Sequence, residues 1–283
     1  MKRVMVPLDG SGLAARTVAT AADLADRCGA RLVLVAVVPG TNAGASAGSE
    51  AGEAEPSAAR TRMEEHIDYV FRRTRLSMAP ETEIAEGDPA QCILEMASRR
   101  RVDVIAMATH GRPALSRTSL GTVTQAVLRQ ARVPVFVLHP EILPMPWESL
   151  PPRRVVMVPL NGSAHSERAL GCAVDLAAAY RARLRLVRVV DSAASGPGAG
   201  KARRDATEYL ERTASHLGKG APEVGTEVAD GAPADEILRL AAAEPHALLV
   251  VASTRIGAAP ASPSVGDALV QNAAVPTVVV PAR

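Results

Sequence analysis

The chain has 283 residues, a formal net charge of +2, 22% charged residues and 2% aromatic residues. That length suits one large domain or two ordinary ones, each able to bury a real core. Basic residues are spread along the chain and rings for base stacking are scarce, so neither nucleic acid nor a membrane surface is an expected partner.

Cys28, Cys92 and Cys172 form an odd, widely spaced set, which fits buried thiols in a reducing compartment rather than a disulfide framework. The first apolar run stops at Leu8-Asp9, far short of a signal-peptide core, and no run approaches a membrane span. A cytoplasmic location is the expectation.

In chain order, residues 4–8 read as a buried strand ending in Pro7-Leu8-Asp9-Gly10-Ser11. A helix follows, with Ala14, Val18, Ala21, Leu24, Ala25 and Cys28 on one stripe, started by Ser11 and stopped by Gly29. Residues 31–38 are a continuous Val-rich run, as expected of a parallel strand covered on both faces. Residues 39–60, rich in Gly, Ala and Ser, read as a surface loop. Asp88-Pro89 marks a later helix start, with the acid as cap and the proline in the first turn. Residues 102–107 form another apolar run, and Val123, Ala126 and Val127 then have helical spacing. Residues 133–138 close the pattern as a last strand.

The chain contains this pattern twice. Val155-Val156-Met157-Val158-Pro159-Leu160-Asn161-Gly162-Ser163 repeats the opening 152 residues later. Gly87-Asp88-Pro89-Ala90 meets Gly231-Ala232-Pro233-Ala234 at an offset of 144, and Val133-Pro134 meets Val275-Pro276 at 142, so the second copy is shorter in two places. The alternation of strands and helices gives an α/β class. The expected division is a first domain over 1–140, a proline-rich linker over 141–152 that holds Trp147, and a second domain over 153–283.

Residues 107–123 are the stretch most suited to bind something. Gly111 and Gly121 let a backbone approach a ligand closely, Thr122 offers a hydroxyl, and free N–H groups at the following helix start favour an anion. Arg112 and Arg117 add positive charge. On residue types alone the stretch fits either a phosphate loop or a long strand-to-helix loop shaped by Gly111, Pro113 and Gly121. The G-x-G-x-x-A run at Gly10 raises a dinucleotide fold, but no acid closes the second strand at Val37-Val38-Pro39, and helix capping explains those glycines. There is no G-x-x-x-x-G-K-[ST] run.

Here the chain resembles the universal stress protein family, whose nucleotide signature reads G-x2-G-x9-G-[ST]. Ala108 stands at its first glycine, followed by Gly111, nine residues, Gly121 and Thr122. Ala108 is a departure from the pattern. The opening strand and its Pro7-Leu8-Asp9 end extend the likeness. The resemblance implies two tandem open parallel sheets of five strands each, in order 3-2-1-4-5, with helices on both faces. It further implies that residues matching Pro7 and Asp9 line an adenosine and that the backbone near Val37 meets the adenine. The candidate binding set is therefore Pro7, Asp9, Val37, Ala108, Gly111, Arg112, Gly121, Thr122 and Val123. The implied ligand is ATP or AMP, with Mg²⁺ accompanying ATP. Family members pair through last-strand edges, which would set residues 133–138 beside 275–280 within this chain or build a homodimer, and act as stress-linked regulators on a partner protein that the sequence does not name.

The second copy does not preserve the loop. Gly121 falls on Pro263, Thr122 on Ser264 and Gly111 on Arg255, and Asn161 replaces Asp9. Proline removes an N–H and fixes φ, so the second copy reads as degenerate. The six histidines, His110 in the loop among them, show no metal-binding spacing, and no protein-held metal is expected. No base stands ready to activate water, which favours binding over turnover. A nucleotide-independent scaffold and a slow ATPase are the alternative readings.

Overall fold

The computed structural model describes residues 1–38, 56–74, 76–109, 120–139, 154–190, 199–218, 222–244, 246–253 and 264–281. The linker with Trp147 lies outside them, as do His110, Gly111, Arg112, Arg117, Arg255 and Pro263. The first half runs β1 (Arg3–Leu8), α1 (Gly12–Cys28), β2 (Arg31–Val38), α2 (Pro56–Arg73), β3 (Glu81–Glu86), α3 (Pro89–Arg99), β4 (Val104–Ala108), α4 (Thr122–Gln130) and β5 (Val135–Leu138). The second runs β6 (Val155–Pro159), α5 (Ala164–Glu167), α6 (Ala169–Tyr180), β7 (Arg183–Val190), α7 (Ala199–His216), β8 (Val224–Asp230), α8 (Pro233–Ala242), β9 (Ala247–Ser253), α9 (Val265–Asn272) and β10 (Thr277–Pro281).

Local chemistry sets the element ends. Ser11 caps α1 by accepting from the Ala14 N–H, and Gly29 ends it at φ 62, a left-handed conformation that suits glycine. Asp88 caps α3 by accepting from the Gln91 N–H, with Pro89 in the first turn. The second half divides its first helix: the Arg168 N–H bonds the His165 carbonyl, a tightened turn that separates α5 from α6.

The expectation of two separate five-stranded sheets is corrected by the topology. There is one ten-stranded sheet, in order β3-β2-β1-β4-β5-β10-β9-β6-β7-β8. Each half contributes its strands in order 3-2-1-4-5, parallel throughout, and the halves join where β5 and β10 pair antiparallel, Phe136 opposite Val278. The cause is the character of those two edges. All of β5 and four residues of β10 are buried, and an apolar edge left open would invite uncontrolled pairing.

Helices cover both faces. On one, Val6, Leu24 and Leu34 share a single core with Val158, Leu176 and Leu186 of the second half. On the other, Met5, Ile105 and Val127 share one with Met157, Leu249 and Leu269. Between α1 and α6 the Arg27 guanidinium lies 5.1 Å from the centre of the Tyr180 ring. Among the described residues no helix is long and apolar enough to cross a membrane.

Because both cores run through the seam, the halves should unfold together. Phe136→Ala, at a side chain 1% exposed, should lower stability by about 3–5 kcal/mol in urea denaturation while keeping one transition. Burial, aided by Asp175 and Cys28, pushes the Cys172 thiol up to about 12. That thiol should react with Ellman's reagent only after unfolding.

Candidate functional site

In an open parallel sheet, ligands bind beyond the C-terminal strand ends where the strand order reverses. In the first half this point lies between β1 and β4, since β1 pairs with β2 on one side and β4 on the other. Two turns meet there. After β1, the Asp9 Oδ1 accepts from the Ser11 N–H at 2.9 Å, and Gly10 at φ 79 lets the chain turn into α1. After β4, the chain re-enters the described residues at Leu120, and three hydrogen bonds hold its return. The Gly121 N–H donates to the Thr109 carbonyl at 2.8 Å, the Thr109 N–H to Leu138 at 2.9 Å, and the Thr124 hydroxyl to Ala108 at 3.0 Å. Gly121 is the N-cap of α4, and among the described residues no side chain caps that helix.

These turns border a cavity of about 360 Å³. Of the nine residues chosen from sequence, Pro7, Asp9, Val37, Ala108, Gly121, Thr122 and Val123 line it together, while Gly111 and Arg112 lie outside the described residues. The lining also includes Val35, Pro89, Ile93 and Met107, which form an apolar wall, and Thr124. Sequence reasoning missed these. Val35 carried a signal, because it stands two residues before Val37 and so on the same face of β2; Pro89 had been assigned only to helix initiation. The cavity thus offers an apolar wall, one exposed carboxylate at Asp9 and an uncapped helix N-terminus. That combination accommodates a ligand with a flat apolar part, hydroxyl groups and a negative charge.

The corresponding turns in the second half are finished differently. The Asn161 Oδ1 accepts from the Ser163 N–H at 3.0 Å and its hydroxyl at 2.6 Å, so it repeats the turn of Asp9 without the charge. The first turn of α9 is self-capped. Asp267, 3% exposed, accepts the Ser264 N–H at 3.1 Å and the Ser264 hydroxyl at 2.6 Å, and the Ser264 Oγ accepts the Asp267 N–H at 3.1 Å. This reciprocal cap puts a carboxylate where a bound anion would otherwise sit. Beside the Asn161–Ser163 turn, the Tyr209 hydroxyl donates to Glu167 at 2.8 Å and the Arg188 guanidinium lies 4.9 Å from the Tyr209 ring centre. Arg188 also reaches over the turn, its Nη1 lying 3.1 Å from where a Cβ on Gly162 would be. Among the described residues no group of three or more His, Cys, Asp or Glu side chains is arranged to hold a metal ion.

Thr124→Val should leave the Ala108 carbonyl without its donor and lower stability by about 1 kcal/mol in denaturant titration. Ser264→Ala should weaken the second half by a similar amount, about 1 kcal/mol, through loss of the cap.

Comparison with known proteins identifies the family and the fold. Residues 1–139 and 152–281 each match the family model described as the universal stress protein family. A universal stress protein of Methanocaldococcus jannaschii is 42% identical over 57 residues, 20% of this chain and 34% of that protein. The match thus spans about a third of that relative's length. Among solved structures, a universal stress protein from Archaeoglobus fulgidus superposes with a TM-score of 0.69 at 18% identity, covering 99% of this chain and 98% of that one. A putative universal stress protein from Pseudomonas aeruginosa gives 0.63 at 14% identity, covering 99% and 93%. At such identities the likeness to the solved structures is one of fold.

Proposed function

The chain belongs to the universal stress protein family, and from that premise we propose that it is a cytoplasmic stress-response regulator that binds ATP or AMP in its first half. The observation that carries this reading is the cavity at the β1/β4 switch point, bounded by Asp9 on one side and the uncapped N-terminus of α4 on the other. Its volume of about 360 Å³ falls within the range of about 300–1,000 Å³ usual for cofactor sites. The apolar wall of Val35, Ile93 and Met107 suits a nucleobase, the Asp9 carboxylate suits ribose hydroxyl groups, and the backbone N–H groups near Gly121 suit phosphate. Mg²⁺ enters with ATP, bound to its phosphates.

The functional units are then a nucleotide-binding domain over 1–140, a linker over 141–152 and a second domain over 153–283. The second domain is a degenerate copy that serves pairing and regulation. Its support is the self-capped α9, where Gly121 gives the first half's α4 no side-chain cap, and the replacement of Asp9 by Asn161. Among the described residues the cavity lining includes no base beside the phosphate end that would activate water, which favours sensing over turnover. Partners are the nucleotide, a second copy of the chain and a downstream regulatory protein.

Calorimetric titration of nucleotide-free protein with Mg-ATP should give saturable binding near one site per chain. Gly121→Arg should abolish it by filling the cavity. Asp9→Asn should weaken it roughly 10- to 100-fold, the effect of losing one charged hydrogen-bond acceptor. No heat, with no nucleotide on the purified protein, would favour a nucleotide-independent scaffold.

A further inference from the structure

The inner face of α2 carries a polar group that the fold leaves unfinished. His66 is half-buried, and its Nε2 is sealed from solvent with no hydrogen-bond partner among the described residues. A buried polar atom in that state calls for a reason. The second half shows the ordinary solution. α2 and α7 are both 18 residues long, and the buried Ile67 and Val70 fall on the buried Leu210 and Thr213 when His66 is set on Tyr209. Tyr209 is satisfied by Glu167 and carries Arg188 on its ring. Where the second half has Glu167 and Arg188, the repeat gives the first half Ala15 and Ala36. The equivalent partners have been removed.

The face of α2 that carries His66 packs against the turn that holds Asp9. Met63, one helical turn earlier on α2, places its Cε 3.8 Å from where a Cβ on Gly10 would be. Burial is the larger influence on the imidazole and holds its pKa below the usual histidine value, while the Asp9 carboxylate acts in the opposite sense. α2 also packs on β2 and β3. The residues on that face of the two strands are Leu34, Ala36 and Ile84, with the exposed carboxylate of Glu86 at the strand end.

We infer that His66 is a positioning residue for Asp9, the two forming a proton-dependent pair beneath the ligand cavity. A neutral imidazole leaves the carboxylate to a ligand's hydroxyl groups, and a protonated one draws it away. This inference rests on the reading of the cavity as a nucleoside site. The sign follows from linkage: a sugar that engages Asp9 deprives the imidazolium of its counter-ion, so binding disfavours the proton and the proton disfavours binding. Nucleoside affinity is therefore full above the usual histidine range and falls as pH drops through the lowered His66 value. A coupling of about one pKa unit corresponds to roughly a tenfold change in affinity.

The test has two arms on the full chain. In the first, the His66 ring protons are followed by NMR through a pH titration of wild type and Asp9→Asn, with His66→Gln to assign the signal. The midpoint should move down in Asp9→Asn, because the carboxylate that favours the charged ring is gone; an unmoved midpoint overturns the pair. In the second, adenosine, which has no phosphate to respond to the ring's charge, is titrated at about pH 5.5 and pH 7.5. Affinity should be several-fold weaker at the lower pH in wild type and nearly equal at both in His66→Gln. Equal pH dependence in the two proteins, or binding of ATP without any binding of adenosine, overturns the inference. A chain that takes neither adenosine nor ATP, yet shows the midpoint shift, overturns the nucleotide reading and upholds the pair.

Discussion

The antiparallel pairing of β5 with β10 is the contact on which the rest of this structure depends. Both strands are apolar edges that a solitary half would expose, and each covers the other. Once they pair, the two sheets become one. α1 and α6 then fall side by side on the same face, and the two cores extend from one half into the other. Stability thus comes from a union of halves, each of which would be poorly protected alone.

Within that union the halves keep the same scaffold and differ in how they finish it. A parallel sheet with a reversal of strand order creates a crevice at β1 and β4 and another at β6 and β9, whatever side chains follow. In the first half the crevice is bordered by glycine at a helix start and by small residues such as Ala14 and Ala108. In the second, Ser264 and Asp267 satisfy the helix start themselves, and Arg188 covers the turn at Gly162. Duplication supplied two crevices; side-chain chemistry finished their helix starts differently.

Much of this was legible in the sequence wherever neighbours along the chain decide the outcome. Ser11, Gly29 and Asp88-Pro89 act within a few residues, and helix ends appear where those signals stand. Pro7, Asp9, Ala108, Gly121 and Thr122 could be matched to one crevice because the family resemblance supplied the strand order that brings their strand ends together. What stayed hidden depends on distance. Tyr209 meets Glu167 across 42 residues of sequence, and no spacing rule announces it. The pairing of residues 133–138 with 275–280, which joins two sheets into one, was expected from the family resemblance alone, since a period along the chain does not encode edge meeting edge. Ser264 and Asp267, three residues apart, do carry a capping signal in the sequence.

The Arg27–Tyr180 contact between α1 and α6 has a consequence for how copies of this chain recognise one another. In a symmetric dimer each contact occurs twice, because one surface meets itself. Here the repeat sets Ala179 where a second Arg27 would be and Cys28 where a second Tyr180 would be. The cation and the ring therefore meet once, and only when a first half lies against a second half. Two first halves from different chains would bring two guanidinium groups together with no ring between them. Discrimination of this kind works by making the wrong pairing poorer than the right one. Covalent linkage has thus freed each half from having to match itself and let the pair acquire a handed, unlike-prefers-unlike interface.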